Sequence, residues 1–299
     1  MKAKPRRKKK TFVYINGKFH DKENAKISVF DHGLLYGDGV FEGIRVYNGR
    51  VFKLVEHIDR LYESAKTIML KIPLSRKRLI SDVLKTARRN NLKDAYIRLV
   101  VTRGIGTLGL SPFKCLYPQI IIIADKIQLY PGSFYKKGLK VITVPTQRNR
   151  PEAMSPRVKS LNYLNNIMAK IEAVNSGVHE AIMLNSYGFV AECTGDNIFI
   201  VRKGVLLTPS IYMGVLEGVT RNTVMALARK HSIEVKQIVM SRHDVFNADE
   251  CFLTGTAAEI VPVIECDKRI IGDGKPGSVT KKLMNLYGEL TNTSGEEIY

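Results

Sequence analysis

Lys159 and Tyr163 are a pair of residues whose types and spacing indicate covalent chemistry. They lie in the segment VKSLNYLNNIMAKIEA, whose apolar residues recur at helical spacing, so we predict a helix through residues 158–173. Its apolar face consists of Leu161, Leu164, Ile167, Met168 and Ile171. On such a helix the two side chains project to one side, one turn apart. An ammonium group is costly to bury and a neutral amine attacks carbonyl carbons, so Lys159 is a candidate Schiff-base residue. The commoner interpretation of such a lysine by itself is a surface residue whose aliphatic stem packs along the helix.

Other candidate residues lie in three further segments. Glu192, in VAECTGDN, is a carboxylate at the end of an apolar strand. It can hold a ring nitrogen, although a strand-end charge that faces solvent gives the same pattern. The segments LEGVTRN and LTGTAAEI place glycine and threonine at a turn or helix start, where N–H groups and a hydroxyl can bind an anion. Arg60 can pair with a phosphate through two N–H groups, or it is an ordinary surface arginine.

These candidates are weak one by one, but they form a consistent set. The sequence offers one amine, one acid suited to a ring nitrogen, several phosphate donors and no pattern of metal ligands. Pyridoxal phosphate requires such a set, because its aldehyde, its pyridine nitrogen and its phosphate must each be held. We therefore predict pyridoxal phosphate as the cofactor and no metal.

Composition indicates a folded protein with room for two domains. The chain has 299 residues, of which 44% are hydrophobic and 8% aromatic. It contains no run of about 18 apolar residues, so we expect no membrane span. Its four cysteines are widely spaced, which favours neither a disulfide framework nor a zinc site and indicates a reducing, cytoplasmic location.

The charge of the chain is strongly positive. The net charge is +19, and seven of the positive residues fall within the first ten, MKAKPRRKKK. We expect residues 1–10 to form a disordered tail that contacts RNA or acidic surfaces weakly. A basic RNA-associated protein is thus an alternative function, but the sequence has no RNA-recognition signature.

The pattern along the chain predicts an α/β protein. Hairpin turns are predicted at Asn16-Gly17 and Asn48-Gly49, a strand at 25–30, helices at 54–68 and 74–90, and a strand at 94–102 with Tyr96, Arg98 and Val100 on one face. A small N-terminal domain at 11–126 is followed by an interdomain loop at 127–137 and a larger domain at 138–299 with a mixed or antiparallel sheet. A helix in the second domain is predicted to begin after Gly218 with Thr220 as its cap.

Seven motifs together resemble one family. They are YGDGVFEGIR, EHIDRLYESA, AYIRLVVTRG, VKSLNYLNN, ECTGDNIF, LEGVTR and TGTAAEI, in family order between about Val13 and Met284. The set is similar to the class IV pyridoxal-phosphate aminotransferases, specifically the branched-chain amino acid aminotransferases. That resemblance implies a two-domain α/β fold with a small N-terminal domain and a larger C-terminal pseudo-barrel that holds the cofactor.

The resemblance also implies how the cofactor is held. Lys159 matches the lysine that forms the Schiff base and moves the proton, and Tyr163 matches the tyrosine that bonds the phenolic oxygen, although some relatives have one more residue before it. Glu192 matches the acid that pairs with the pyridine nitrogen. Leu216 matches the side chain against the ring. The residues matching the phosphate cradle are Arg60, Val219 and Thr220 through their backbone amides, and Thr256.

Substrate contacts follow from the same resemblance. Tyr96, Arg98 and the Thr256–Ala257 turn match residues that handle substrate carboxylates. The residues matching the side-chain pocket are Tyr36, Phe41, Gly43, Ile127 and Tyr130, with Leu108 and Leu110 from a partner subunit. Some relatives carry tryptophan where Ile127 stands, and this chain has no tryptophan.

The implied activity is transamination of leucine, isoleucine and valine with 2-oxoglutarate, by a homodimer or a dimer-based hexamer. A D-amino acid aminotransferase or an aminodeoxychorismate lyase of the same fold would use the same lysine. The AYIR strand and the RGIGTLGLSP loop favour the branched-chain type.

Overall fold

The chain forms two compact units in the computed structural model, which describes residues 10–127 and 130–299. Unit 1 contains the residues up to Ile127 together with Gly295–Tyr299, and unit 2 contains the following residues up to Ser294. The range expected for the second domain, 138–299, includes the last five residues, whereas the structure packs them with unit 1. Residues 1–9 of the expected tail and residues 128–129 of the expected interdomain loop lie outside the described residues.

Unit 1 is built on a seven-stranded antiparallel sheet. Its strands are β1 (Phe12–Ile15), β2 (Lys18–Asp21), β3 (Gly39–Tyr47), β4 (Arg50–Val51), β5 (Ala95–Thr102) and β6 (Gln119–Asp125), with the C-terminal strand Glu296–Glu297. Its helices are α1 (His32–Tyr36), α2 (Leu54–Thr67) and α3 (Arg76–Arg89), with 3-10 turns at Lys22–Asn24 and Pro112–Lys114. Across the sheet the order is Glu296–Glu297, β4, β3, β5, β6, β1, β2.

Two predicted hairpins and one predicted strand face are confirmed in unit 1. Asn16 and Gly17 join β1 to β2 with φ of 47° and 91°, as a two-residue hairpin turn requires, and Asn48-Gly49 does the same between β3 and β4. Along β5, Ile97 and Leu99 are buried in the core with α2 and α3. Tyr96 and Arg98 therefore lie on the opposite face of the sheet.

The strand predicted at 25–30 is wrong. After the 3-10 turn at Lys22–Asn24 the segment is irregular until α1. Its apolar side chains Ile27, Val29 and Phe30 are exposed, so their alternation does not reflect burial on one face of a sheet.

Unit 2 is built on a nine-stranded mixed sheet. Its strands are β7 (Leu139–Thr143), β8 (Glu180–Leu184), β9 (Val190–Cys193), β10 (Asn197–Arg202), β11 (Val205–Pro209), β12 (Val235–Ile238), β13 (Glu250–Gly255), β14 (Glu259–Cys266) and β15 (Arg269–Ile270). Its helices are α4 (Gly132–Lys137), α5 (Leu164–Asn175), α6 (Val219–Lys230), α7 (Arg242–Phe246) and α8 (Ser278–Thr293), with a 3-10 turn at Ile211–Met213.

The sheet of unit 2 curls on itself. The strand order is β12, β11, β10, β13, β14, β7, β8, β9, with β15 beside β14. The N–H of Val190, at one end of this order, donates to the carbonyl of Met240, just beyond β12 at the other end, at 2.8 Å. The two edge strands thus approach each other, and the predicted α/β fold with a pseudo-barrel in the second unit is confirmed.

The helix predicted through 158–173 begins later than expected, at Leu164. Residues 158–163 form short turns instead, in which Ser160 N donates to Val158 O and the Ser160 hydroxyl accepts from Asn162 N. A serine hydroxyl that bonds nearby backbone competes with helical hydrogen bonding.

The apolar positions of α5 are also not its buried side. Leu164, Ile167, Met168 and Ile171 are exposed, whereas Asn166, Ala169 and Ala173 are buried. Ala169 and Ala173 pack with Ala181 and Met183 of β8, because small side chains allow the helix to lie close to the sheet.

Candidate active site

Lys159 and Tyr163 are in contact. Lys159 Nζ donates a hydrogen bond to Tyr163 Oη at 3.1 Å and lies 5.6 Å from the centre of the tyrosine ring. Both residues are half-buried. Tyr163 is the residue that precedes the first turn of α5, so the helix holds the tyrosine and the preceding turns hold the lysine.

Glu192 lies in β9 and is buried, with 5% of its surface exposed. Arg148 Nε donates to its Oε1 at 2.8 Å, while Asn197 Nδ2 and Leu216 N donate to its Oε2 at 3.1 and 3.0 Å. The strand-end charge facing solvent, which the sequence left open, is therefore not what the structure contains. A buried carboxylate with a cation and two further donors keeps its negative charge.

Arg148 is a residue that the sequence did not single out. Its guanidinium reaches from Glu192 to the first turn of α5, where Nη1 donates to Asn165 Oδ1 at 3.3 Å and Asn166 Oδ1 at 3.2 Å. The local sequence TQRNRPE gives no sign of this, because its partners lie up to 44 positions away. The hydrogen bonds connect the segment that carries Lys159 and Tyr163 with the buried acid.

Helix α6 begins beside the same acid. Asn197 Nδ2, which donates to Glu192, also donates to Leu216 O at 2.9 Å. A Cβ on Gly218 would lie 2.0 Å from Asn197 Oδ1, so only glycine fits at this position. Gly218 is the N-cap of α6, and no side chain caps the helix there.

The predicted cap is therefore wrong, although the predicted start is confirmed. Thr220 is the second residue of α6 and is buried. The first N–H groups of a helix have no partner within the helix and carry its positive dipole end, so this terminus suits a phosphate.

Pyridoxal phosphate fits these residues. Unit 2 supplies an amine at Lys159, a buried acid at Glu192 and a helix N-terminus at Val219 connected to that acid by hydrogen bonds. The hydroxyl Oγ1 of Thr254 is buried without a hydrogen-bond partner, and Thr254 lies directly opposite Asn197 in the sheet. An unsatisfied buried hydroxyl at such a place is expected where a ligand supplies the missing partner. Thr256 and Ala257 follow immediately after β13 and are half-buried.

In unit 1, Arg60 is oriented by Glu42. Arg60 Nε and Nη2 donate to the two oxygens of this buried carboxylate at 2.8 and 2.7 Å, and His57 Nδ1 lies 2.7 Å from Oε2. Burial opposes ionisation of Glu42, but the charges of Arg60 and His57 outweigh it and lower the pKa of this carboxyl to about 2. The surface arginine that the sequence allowed is excluded, since only 11% of the Arg60 side chain is exposed.

Four of the predicted substrate residues form one cluster on the face of unit 1 opposite its helices. Arg98 Cζ lies 4.5 Å from the ring centre of Phe41 and 5.5 Å from that of Tyr96, and Gly43 is directly opposite Arg98 in the sheet. The cluster combines apolar rings with one cation.

The predicted loop residues Leu108 and Leu110 are exposed. Their loop is fixed at two points, since the Tyr36 hydroxyl donates to Leu108 O and His32 Nε2 lies 2.7 Å from Thr107 O.

Tyr130 and Ile127 fall at the junction of the two ranges of described residues. Ile127 is half-buried. The Tyr130 hydroxyl lies 3.2 Å from both Glu180 Oε2 and Asp196 Oδ2. Burial, and then the charges of Asp196 and Glu180, raise the pKa of the Tyr130 hydroxyl far above its usual value. Burial and the charge of Glu180 raise the pKa of Asp196 to about 7.

Metal sites and membrane spans are both missing from the described part of the chain. Within residues 10–127 and 130–299, no three His, Cys, Asp or Glu side chains are grouped as a metal site would require. The same residues contain no helix that is long and apolar enough to span a membrane.

Known proteins resemble this chain over nearly its whole length. The sequence model of the amino-transferase class IV family matches residues 39–266. A Methanocaldococcus jannaschii protein with a provisional branched-chain-amino-acid aminotransferase name is 53% identical over 287 residues, which cover 96% of this chain and 99% of that protein.

Two crystal structures are similar in fold. The Escherichia coli branched-chain amino acid aminotransferase has a TM-score of 0.93 and 34% identity, covering 96% of this chain and 97% of that one. The T.th. branched-chain amino acid aminotransferase complexed with N-(5'-phosphopyridoxyl)-L-glutamate has a TM-score of 0.90 and 37% identity, covering 95% of each chain. The chain belongs to the class IV aminotransferase family and, within it, to the branched-chain-amino-acid aminotransferases.

Proposed function

We propose that this protein transfers the amino group of leucine, isoleucine or valine to 2-oxoglutarate, releasing the 2-oxo acid and L-glutamate. The cofactor is pyridoxal phosphate. The observation that carries the proposal is the hydrogen-bonded connection from the Lys159–Tyr163 pair through Arg148 to the buried Glu192 and on to the start of α6. The family and the crystal structure with a phosphopyridoxyl-glutamate support the same reaction.

The chemistry assigned to unit 2 divides among few residues. When bound, pyridoxal phosphate supplies an electron-withdrawing ring that stabilises negative charge at the substrate Cα. Lys159 Nζ holds the cofactor covalently and then moves a proton from the substrate Cα as a general base. Tyr163 Oη, 3.1 Å from that nitrogen, orients the amine. Glu192 accepts a hydrogen bond from the protonated ring nitrogen and keeps it charged.

The phosphate is assigned to the N-terminus of α6 and to two side chains. The Val219 and Thr220 amides lie at the positive end of the helix. Thr256 supplies a hydroxyl, and Arg60, oriented by Glu42, supplies a guanidinium. Leu216, whose N–H is bound to Glu192, places its side chain against the ring.

The substrate is assigned to the Arg98 cluster and the Thr256–Ala257 turn. Phe41 and Tyr96 give an apolar surface suited to a branched side chain, and Arg98 gives a cation suited to the second carboxylate of glutamate. The remaining contacts are assigned to Tyr36, Gly43, Ile127 and Tyr130, with Leu108 and Leu110 donated by a partner subunit.

The oligomer proposed is a homodimer, alone or assembled into a hexamer. Leu164, Ile167, Met168, Ile171 and Val174 make an exposed apolar face on α5. Leu108 and Leu110 are 71% and 78% exposed, which is unusual for side chains assigned to a substrate pocket unless a second copy covers them. Sedimentation of the wild type and of an Ile167→Glu, Ile171→Glu variant measures this directly, and a monomeric wild type would contradict it.

A cytoplasmic location and a solubilising role for the basic tail are proposed alongside. All four cysteines are free, as expected in a reducing compartment. Removal of residues 1–10 should lower affinity for RNA and leave the transaminase kinetics unchanged.

The reaction is tested with purified protein. It should be yellow and lose that colour with borohydride. L-leucine, D-alanine and aminodeoxychorismate are then compared as substrates. A rate with L-leucine and 2-oxoglutarate well above the other two supports the proposal. A preference for D-alanine or aminodeoxychorismate would assign the chain to another activity of the same fold, and a colourless protein with no half-reaction would contradict transamination altogether.

A further inference from the structure

Arg148 contacts Glu192 with one edge of its guanidinium and α5 with the other. Its Nε lies 2.8 Å from Glu192 Oε1, and its Nη1 lies 3.3 Å from Asn165 Oδ1 and 3.2 Å from Asn166 Oδ1. Only 7% of the arginine surface is exposed. Its backbone N–H is bound to Leu184 O at 2.8 Å, so both the main chain and the side chain are fixed.

The two asparagines are themselves held in place. Asn165 Nδ2 donates to Gln147 O and Asn166 Nδ2 donates to Thr194 O, each at 2.7 Å. Their carbonyl oxygens therefore point at Arg148, since the amide nitrogens are engaged elsewhere. The guanidinium is thus held in one orientation against Glu192.

The hydrogen bonds of Glu192 leave room for one more donor. A carboxylate has about four acceptor positions. Arg148 Nε occupies one on Oε1, and Asn197 Nδ2 and Leu216 N occupy two on Oε2. The remaining position is on Oε1, the oxygen that Arg148 holds.

We propose that Arg148 is the positioning residue that keeps Glu192 ionised and directs its remaining acceptor position toward the ring nitrogen of pyridoxal phosphate. This inference rests on the proposed function, because it takes Glu192 as the partner of that nitrogen. An isolated carboxylate buried to this degree would take up a proton. The neighbouring guanidinium stabilises the negative charge, so the proton shared between acid and ring stays on the ring.

Lysine cannot replace arginine here without loss. An ammonium group can supply the charge, but it lacks the planar pair of donors that contacts Glu192 and the α5 asparagines at once. Charge and orientation are therefore separable by substitution. Arg148→Met removes both, and Arg148→Lys keeps the charge and loses the orientation.

The experiment uses the holoenzyme and measures three quantities. These are the single-turnover rate with L-leucine, the dissociation constant of pyridoxal phosphate, and the midpoint of the pH titration of the bound cofactor's absorbance. Arg148→Met should lower the rate by about 100-fold or more, as for loss of an essential charge in general acid–base chemistry. It should move the absorbance midpoint in the same direction as Glu192→Gln, by about one pH unit or more. Cofactor affinity should fall by less than the rate, because the phosphate contacts remain.

Arg202→Met is the matched control, since Arg202 also forms an ion pair within unit 2, with Asp244 at 3.3 Å, but is partly exposed. It should change neither rate nor midpoint. Arg148→Lys tests the proposal if the methionine variant does not fold. We expect its rate to fall by about tenfold, as for a misoriented but charged partner, with the midpoint nearly unmoved.

A double variant separates this role from a structural one. Because Arg148 acts through Glu192, adding Arg148→Met to Glu192→Gln should lower the rate by less than about threefold further. Losses that multiply, or an Arg148→Met or Arg148→Lys variant with wild-type rate and midpoint, would overturn the role of Arg148 while leaving transamination by the wild type intact. A wild type that neither binds pyridoxal phosphate nor reacts with L-leucine would overturn both.

Discussion

Tyr163 accepts a hydrogen bond from Lys159 at 3.1 Å although no helix joins the two residues. A spacing of four residues normally brings side chains together only on a helix. Here the turns between Val158 and Tyr163 achieve the same proximity, with Ser160 bonding the local backbone. The lysine is therefore held by a loop, while the tyrosine is held at the start of α5.

Lys159→Ala should abolish transamination while the protein stays folded. The side chain is half-buried and contacts Tyr163, outside the apolar core of unit 2, so its loss removes little packing. Loss of the general base should lower the rate by about 10²–10⁴-fold or more. The measurement is the single-turnover rate with L-leucine together with a thermal melt. Lys282→Ala, an exposed lysine on α8, is the control, and an alanine variant at position 159 with a tenth of the wild-type rate would contradict the assignment.

Arg98→Leu should separate the two substrates of the reaction. Arg98 packs over Phe41 and Tyr96, where it can pair with the γ-carboxylate of glutamate, whereas leucine needs only the apolar rings. The half-reactions with glutamate and 2-oxoglutarate should lose on the order of 2–5 kcal/mol, the scale for breaking a buried charge pair. The leucine half-reaction should lose far less.

Single-turnover absorbance with each substrate measures the effect of Arg98→Leu. Arg89→Leu is the control, since Arg89 also packs over a ring of unit 1, that of Phe12, at 4.4 Å. Equal losses for leucine and glutamate would show that Arg98 supports the sheet and does not select substrates.

The motifs around Lys159, Glu192 and Gly218 could be interpreted from the sequence, because each is a short local pattern whose residue types carry the chemistry. Arg148 could not, since its role depends on β7, α5 and β9 coming together. The exposed side of α5 was not foreseen either. Apolar spacing shows that one face differs from the other, but not which one packs on the sheet, and here Ala169 and Ala173 do.

Glu42→Gln should destabilise unit 1 at neutral pH. The pKa of Glu42 is lowered to about 2, so the folded state favours its ionised form. Its contribution to the free energy of unfolding is therefore fully present above the unfolded value near 4.5 and is lost as the pH falls toward 2. The shift corresponds to a contribution on the order of 3 kcal/mol.

Urea unfolding of the cofactor-free protein at several pH values measures the Glu42 effect. The variant should be less stable at pH 7, and its stability should fall less steeply in acid. Glu63→Gln, on the exposed side of α2, should do neither. A Glu42→Gln variant as stable as the wild type at pH 7 would mean that the three-residue contact of Glu42, His57 and Arg60 contributes nothing net.

Asp196 and Glu180 share the hydroxyl of Tyr130 but differ in their other partners. Glu180 accepts from Thr194 N, Thr194 Oγ1 and Ala181 N, and forms an ion pair with Lys170 at 3.1 Å. That many donors favour the ionised form of Glu180. Asp196 has the Tyr130 hydroxyl and packs against Gly255, where a Cβ would lie 2.0 Å from its Oδ1. The single proton of the tyrosine cannot serve both acids, so a proton on Asp196 completes the arrangement.

Asp196→Asn should therefore stabilise the protein in alkaline solution and not in acid. Burial and the nearby Glu180 charge raise the pKa of Asp196 to about 7, with Lys170 and Tyr130 opposing and Glu192 adding to the rise. The folded state thus binds this proton more tightly than the unfolded state, whose value is near 3.8. Stability contributed by Asp196 falls as the pH rises from about 4 to about 7 and stays low above it. The amide cannot ionise, so the free energy of unfolding of the variant should exceed that of the wild type at pH 8 by a few kcal/mol, about 1.4 per unit of pKa shift before any lost contacts. Near pH 4 the two should be equal. Urea unfolding at pH 4, 6 and 8 tests this, with Asp249→Asn as a control; a constant difference at all three pH values would show that Asp196 holds no proton in the folded protein.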